Sequence, residues 1–325
     1  MRRNVKDPLT LGIDLGATKV KTALVDINGH ILSENTYPTH PKKVPERVIA
    51  DILTCIDECL SKARKEAQAL GIGIAAQVDF KGVVQHAPNL KWRNLPLKDK
   101  LEEKLEIPVV VTNDVRAAAW GEWRYGSGKG VDDLVVLFVG TGIGGGVISG
   151  GNIIVGCSNT GGELGHITIV VDGRNCHCPN VGCLEAYAGG WAIAERAQEA
   201  VRADAMEGRR LTSLAGGIKK ITAATVGQTY HEGDQLASRL VEETGRYLAA
   251  GVVSIVNAFN PCLLVLGGGV IEGVPELVHL VEGFVRNRAL EAATENLKIV
   301  KASLGGDAGV VGAAALAQNR IGETT

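Results

Sequence analysis

The sequence predicts an α/β protein built from two similar lobes, and three observations carry that expectation. Two segments share one plan of apolar run, small-residue turn and second apolar run: Leu9–Asp26 (LTLGIDLGATKVKTALVD) and Asp133–Gly151 (DLVVLFVGTGIGGGVISGG). Between and after them, strand-like runs alternate with stretches whose apolar residues recur at helical spacing. Glycine is the third observation, at 42 of 325 residues, about 13% against a usual ~7%. With 45% hydrophobic residues and no G-x-y period, those glycines belong in turns of a globular fold, not in a collagen-like or disordered chain.

The first hairpin turns at Gly16-Ala17-Thr18 and continues with Val20, Thr22 and Leu24 alternating. Pro45–Leu70 sets Val48, Ile49, Ile52, Leu53, Ile56 and Leu60 on one helical face, and Gly71–Asp79 (GIGIAAQVD) reads as a buried strand and loop. Pro108–Thr112 is a β-branched strand that Asn113-Asp114 closes just before the helical text VRAAAWGEWRYG. Asp114 thus sits at a strand's C-terminal end, where α/β folds bind ligands; an N-cap for a helix starting at Val115 is its other reading. After the second hairpin, Gly156–Gly190 is loop-rich and Arg209–Lys220 is ambiguous. Leu236–Phe259 is a long helix stopped by Asn260-Pro261, followed by the strand Cys262–Val270 with Gly267-Gly268-Gly269 at its end. A helix (Pro275–Leu290), a strand (Leu297–Ser303) and the small-residue helix GVVGAAALAQNR close the chain, the last placed to pack back on the first lobe. The expected lobes are 1–116, rejoined by 304–325, and 117–303.

Charge narrows the partners. Lys plus Arg (34) against Asp plus Glu (36) leaves −2, which gives no basic field for nucleic acid or an anionic membrane. No stretch approaches ~18 apolar residues, and Met1–Thr10 has no apolar leader, so a cytoplasmic protein is expected. Seven cysteines is an odd count, with Cys176, Cys178 and Cys183 inside eight residues. In a reducing compartment such a cluster points to metal before disulfide. With His166 upstream, three thiolates and an imidazole fit a closed, structural tetrahedral Zn²⁺. His177 is expected to point away from it, and Cys55, Cys59, Cys157 and Cys262 to be ordinary buried cysteines.

Three turns suit phosphate: Gly16-Ala17-Thr18-Lys19, Gly140-Thr141-Gly142 and Gly267-Gly268-Gly269. Small residues let backbone N–H groups approach phosphate oxygens, and Thr18 or Thr141 adds a hydroxyl donor. Any one alone reads as an ordinary hairpin turn; three together favour nucleotide. Lys19 is either a phosphate contact or an exposed strand lysine. GTGIGGG is not a dinucleotide fingerprint, because Val147–Gly151 continues as a strand and not as a helix, and no Walker A motif occurs.

DLGATKVKTALVD, NDVRAAAWGE, VGTGIGGGVISGG, GGELGH, CHCPNVGCLEAYAGG and LVLGGGV, in that order along the chain, resemble the ROK family (repressors, open reading frames and kinases). The resemblance implies a two-lobed, actin-like ATPase (ribonuclease H-like) fold that binds ATP and a sugar in the cleft between its lobes. It implies transfer of the γ-phosphoryl group to a hexose 6-hydroxyl, with Asp114 as the base. Asn89, Asn113, Glu163, His166 and Glu185 would grip sugar hydroxyls, His166 with one ring nitrogen on zinc and the other on sugar. Asp14 would hold Mg²⁺ through water, and Gly267–Gly269 would form the adenosine turn. A homo-oligomer, dimer or tetramer, is implied as well. The family's zinc motif is C-x-C-G-x-x-G-C, and Pro179 here replaces its first glycine. Many family kinases carry P-G-P-V where this chain has Ala75-Ala76-Gln77-Val78. Glucose is the first expected substrate, N-acetylmannosamine the alternative and a non-catalytic sugar sensor the third. The family's repressors carry a helix-turn-helix, for which the ~20 residues before the first turn leave no room, so a kinase is expected.

Overall fold

The computed structural model describes residues 8–323. They form two units. Unit 1 contains the residues up to Gly130, Ile153–Gly162 and those from Ser303 on; unit 2 contains Val131–Asn152 and Glu163–Ala302.

Unit 1 is built on the strands β1 (Thr10–Leu15), β2 (Lys19–Val25), β3 (Ile31–Pro38) and β4 (Ala69–Ile74). Three short strands, β5 (Gln77–Val78), β6 (Val84–Ala87) and β7 (Trp92–Leu95), form a small sheet of their own, and β8 (Val109–Asn113) completes the main one. The main order is β3-β2-β1-β4-β8: β1 and β2 form an antiparallel hairpin, while β4 runs parallel to both β1 and β8. All six residues of β4 are buried, as expected of a central parallel strand covered on both faces. The helix Pro45–Ala63 supplies one cover through Val48, Ile49, Ile52, Cys55, Ile56 and Cys59.

The helix Ala308–Glu323 belongs to the same unit and packs closely enough to exclude side chains. A Cβ on Gly12 would lie 1.8 Å from the Val310 carbonyl oxygen, and one on Gly71 would lie 1.8 Å from that of Ala313. On the helix itself, a Cβ at Gly312 would lie 1.7 Å from the Ala117 carbonyl oxygen. Gly12, inside the first hairpin, therefore serves packing. The helix Asp114–Arg124 also lies wholly in unit 1, so this unit runs on to Gly130, past the boundary expected at 116. Its Glu122, fully buried, accepts the backbone N–H of Ser303 at 3.0 Å, of Leu304 at 2.7 Å and of Ser127 at 2.9 Å.

Unit 2, with Ile153 as the one residue of its sheet counted in unit 1, repeats the plan with β9 (Leu134–Val139), β10 (Ile143–Ser149), β11 (Asn152–Ile153), β12 (Leu263–Gly267) and β13 (Lys298–Lys301). Its order is β11-β10-β9-β12-β13, with β9 and β10 antiparallel and β12 parallel to both β9 and β13. The duplication read from the two hairpins is therefore a duplication of topology. The helix Gln235–Phe259 starts on Asp234, whose carboxylate accepts the Ala237 N–H at 2.8 Å, and ends on Asn260 at φ +46°. Its Leu240, Leu248, Val252 and Ile255 pack into one core with Val135, Leu137, Leu264 and Leu266 of the sheet. The ambiguous stretch resolves into a helix, Arg209–Ala215, and a 3-10 turn, Ile218–Lys220. Cys55 and Cys59 are buried as expected, whereas Cys157 and Cys262 are exposed. Among the described residues no helix is long and apolar enough to cross a membrane.

Candidate functional site

In unit 1 the candidate residues collect where β1, β4 and β8 end. Asp14 pairs in register with Gly73, which pairs with Thr112, so Asp14 stands two strand spacings, about 10 Å, from the Asn113-Asp114 step. Gly73 lets the following helix begin close to the sheet: a Cβ there would meet Ala117 Cβ at 3.1 Å and Asp114 Cα at 3.2 Å. The cap of that helix is not Asp114. Asn113 is extended at ψ 143° and its side chain accepts the Arg116 N–H at 3.0 Å, which makes Asp114 the first helical residue. With the cap supplied by its neighbour, Asp114 is not needed for that task.

Asp14 is half-buried, and burial pushes its carboxyl above the usual range against the opposing pull of Lys19 and Lys21. Lys21 is itself paired with Asp307 and, at 3.1 Å, with Glu34. The first turn is closed by the Gly16 N–H donating to the Lys19 carbonyl at 2.9 Å, which leaves Thr18 and Lys19 exposed. Thr39 anchors it from outside: its N–H donates to the Thr18 carbonyl at 3.0 Å and its hydroxyl to the Gly16 carbonyl at 2.9 Å. Nothing in the sequence around Thr39 signals this role.

A second unforeseen group is Arg116. Its guanidinium donates to Asn159 Oδ1 at 2.7 Å and to the carbonyls of Asn159 and Gly161 at 3.0 and 3.1 Å. The Asn159 amide in turn donates to the Val78 carbonyl at 3.0 Å. Together they tie segment 153–162 and the Ala75–Val78 loop to the helix that begins at Asp114. The Asn113 amide also reaches the Ala76 carbonyl, at 3.4 Å. Asn89 sits in the exposed turn between β6 and β7, its carbonyl accepting from Lys43 Nζ at 2.7 Å.

In unit 2 the turn after β9 is closed by the Gly140 N–H donating to the Gly142 carbonyl at 2.9 Å. The N–H groups of Gly190 and Trp191 donate to the carbonyls of Gly140 and Thr141 at 2.9 and 3.0 Å. Glu185 finishes the support: Oε2 accepts the Ile143 N–H at 2.8 Å and Oε1 the Trp191 ring N–H at 3.2 Å. Gly142 lets the Glu185 carboxylate come this close, since a Cβ would lie 2.4 Å from Glu185 Oε2 and the side-chain end would have to shift. Gly268, at φ +89°, bends the chain after β12 with its Cα against the Val139 backbone. Between these turns opens a cavity of about 890 Å³. Gly140, Thr141, Gly190 and Trp191 line one side; Ala223, Gly227 and His231 from the helix Ala223–His231 and Gly269, Val270, Gly273 and Val274 line the rest. Its size and largely apolar wall suit a flat heterocycle with a polar tail.

The same unit gathers His166, Cys176, Cys178 and Cys183, with one donor atom from each lying within 4.8 Å of all the others. Gly165 sets His166 close to β10, since a Cβ there would lie 2.0 Å from the Ile143 carbonyl oxygen. His166 turns Nδ1 toward Cys176 Sγ at 3.6 Å, and Cys178 and Cys183 sulfurs are also 3.6 Å apart. A tetrahedron with Zn–S of about 2.3 Å needs sulfurs about 3.8 Å apart, so the donor set fits the ion. Burial, with the neighbouring sulfurs adding to it, pushes the Cys176 thiol up to about 12. Burial also opposes ionisation of Cys178, but the Asn180 N–H and the Cys176 and Cys183 thiols prevail and lower it. Pro179 does not prevent this turn: the Cys176 N–H donates to the Asn180 carbonyl at 3.2 Å. His177 stays out of the donor cluster, as expected, and lies flat on Trp191 with ring centroids 4.0 Å apart. Glu163 is exposed and starts the turn that carries His166.

Two sheets of one strand order, each with a glycine turn in its hairpin, define the actin-like ATPase class of fold. The chain matches the ROK family over residues 10–320 and belongs to it. It is 34% identical over 314 residues to the glucokinase of Halalkalibacterium halodurans, covering 95% of this chain and 94% of that protein. Among solved structures, a ROK family glucokinase from Streptomyces griseus in complex with glucose and AMPPNP superposes with a TM-score of 0.84. That protein is 36% identical, covering 96% of this chain and 99% of its own. The family also reaches regulators: the DNA-binding transcriptional dual regulator NagC of Escherichia coli is 28% identical over 90% of this chain and 71% of its own.

Proposed function

We propose that this protein is a hexokinase that transfers the γ-phosphoryl group of ATP to the 6-hydroxyl of a hexose, with glucose the preferred acceptor. The observation that carries the reading is the division of labour at the start of the helix Asp114–Arg124. Asn113 makes the cap, and the carboxylate beside it, on the first helical residue Asp114, stands at the C-terminal end of a parallel strand. Asp114 accepts the proton of the 6-hydroxyl as its oxygen attacks the γ-phosphorus, and ADP leaves. Positioning and charge neutralisation supply most of the rate. The adenosine would lie in the unit 2 cavity, with Gly267–Gly269 at its edge and the phosphates toward the Gly140–Gly142 turn; the Gly16–Lys19 turn of unit 1 is of the same phosphate-binding type. Asp14, its charge disfavoured by burial, would hold Mg²⁺ through water; when bound, the ion neutralises phosphate charge.

Asn89, Asn113, Glu163, His166 and Glu185 recognise the sugar. His166 would do so through Nε2, since Nδ1 faces the cysteines. His166, Cys176, Cys178 and Cys183 would hold Zn²⁺ in a closed, structural site that fixes the loop. The reading carries with it a cytoplasmic location and a dimer or tetramer. Similarity to glucokinases and to a structure holding glucose and AMPPNP supports it. Asp114→Asn should lose about 10²–10⁴-fold in turnover while calorimetry still registers sugar binding; near-normal turnover would overturn the assignment of the base.

A second reading, an N-acetylmannosamine kinase, is favoured by the Ala75–Val78 loop, which the amides of Asn113 and Asn159 hold by its Ala76 and Val78 carbonyls. ADP release measured with glucose, mannose, N-acetylglucosamine and N-acetylmannosamine separates the two. Background release with every sugar would return the protein to the family's sensors.

A further inference from the structure

The segment that carries the cysteines has little secondary structure of its own. Around Cys176–Cys183 the backbone makes two isolated bridges, Thr168 with Cys183 and Asn175 with Val181, and no extended ladder. A crosslink through the four donors would therefore fix most of its shape. One ring of that segment rests on a residue of the cavity wall. His177, between two cysteines and exposed, stacks on Trp191 at 4.0 Å with an interplanar angle of 22°.

Trp191 lines the cavity and grips its glycine turn from two directions. Its backbone N–H donates to the Thr141 carbonyl at 3.0 Å, and its ring N–H donates to Glu185, whose other oxygen accepts the Ile143 N–H. Trp191 thus has the cysteine loop on its ring face, the middle of the Gly140–Gly142 turn on its backbone and, through Glu185, the residue after that turn on its ring edge.

We propose that the His177–Trp191 stack couples the metal loop to the nucleotide cavity, so that an ordered loop holds Trp191 and the Gly140–Gly142 turn in the shape that receives nucleotide phosphates. This rests on the reading of the cavity as the ATP site. His177 is then a positioning residue, touching neither metal nor nucleotide. Coupling of this kind is reciprocal: nucleotide must tighten metal binding by the factor by which metal tightens nucleotide binding.

The test uses the metal-loaded protein and AMPPNP, with binding followed by calorimetry and Trp emission, and metal content measured in parallel. His177→Ala keeps all four donors. It should bind AMPPNP about three- to tenfold more weakly, the worth of one aromatic stack, and shift the Trp emission. His177→Phe, which can still stack, should return binding to within about twofold of the original. In the kinase assay KM for ATP should rise in His177→Ala while KM for the sugar holds. AMPPNP should slow removal of the metal by a chelator in the parent protein, and do so less in His177→Ala. If His177→Ala loses its metal, Trp191→Phe probes the link from the cavity side and should weaken AMPPNP binding with metal retained. Equal AMPPNP binding by the parent and His177→Ala, or a His177→Phe variant as weak as alanine, overturns the coupling alone. A metal-loaded parent that binds no AMPPNP overturns both the coupling and the kinase reading.

Discussion

The two units share one strand order, yet the glycines under the first sheet and those beside the unit 2 cavity do different work. In unit 1, Gly12 and Gly71 lie under a helix whose backbone a single Cβ would strike at 1.8 Å, so they exist for packing. In unit 2, Gly140 and Gly269 line an open cavity and a Cβ on either would meet nothing within 4 Å, so there the missing side chains leave room for something else. The loops differ in the same sense. Segment 153–162 of unit 1 is held by the Arg116 and Asn159 side chains, whereas the Cys176–Cys183 loop of unit 2 is gathered around four metal-type donors. One topology thus accepts either protein or a ligand as the filler of its gaps.

Three experiments press on that contrast. The largest effect is expected from Gly71→Ala, whose Cβ meets rigid backbone; it should cost about 3 kcal/mol or more, read as a lowered denaturant midpoint or failure to fold. Gly142→Ala meets only the end of the Glu185 side chain and should cost about 1 kcal/mol while raising KM for ATP. If both substitutions act alike on stability, the distinction between packing and ligand glycines fails. Next comes Cys183→Ser, which should lower zinc from about one per chain to near none by elemental analysis. Unchanged metal content would leave the loop without its proposed crosslink.

The smallest effect concerns Asp14. Burial, only partly offset by Lys19 and Lys21, raises its carboxyl, so the folded state binds that proton more tightly than the unfolded chain does. Stability then falls as pH rises from the ordinary carboxylate value through the raised one. Asp14→Asn removes this cost and should melt at or above the parent temperature at pH 7, with the difference vanishing in acid, even as turnover drops. A variant less stable than the parent at pH 7 would show that the carboxylate is stabilised where it stands.

Local patterns made much of this legible in the sequence. The hairpins, the long helix stopped by Asn260-Pro261 and the clustered cysteines each declare themselves within a few residues, and each is where it was expected. What escaped depends on distance along the chain. Arg116 and Asn159 are 43 residues apart, and Thr39 is 23 from Gly16, with no spacing rule to join them. The cap misled by one position because Asn and Asp are equally good caps and only backbone geometry chooses. Cys157 and Cys262 came out exposed because the apolar or irregular text around a cysteine does not fix which way its side chain faces.

Glu122 carries a consequence for how the chain comes to be folded. Its buried carboxylate waits for the N–H groups of Ser303 and Leu304, and the first sheet waits for Val310 and Ala313 to cover Gly12 and Gly71. At ribosomal speeds of about 5–20 residues per second, the 184 residues from Arg124 to Ala308 take on the order of 10–40 s to make. During that interval all of unit 2 can emerge while unit 1 still lacks a face. The half synthesised first is the half completed last, and shortening the chain by the helix Ala308–Glu323 would undo its earliest strands.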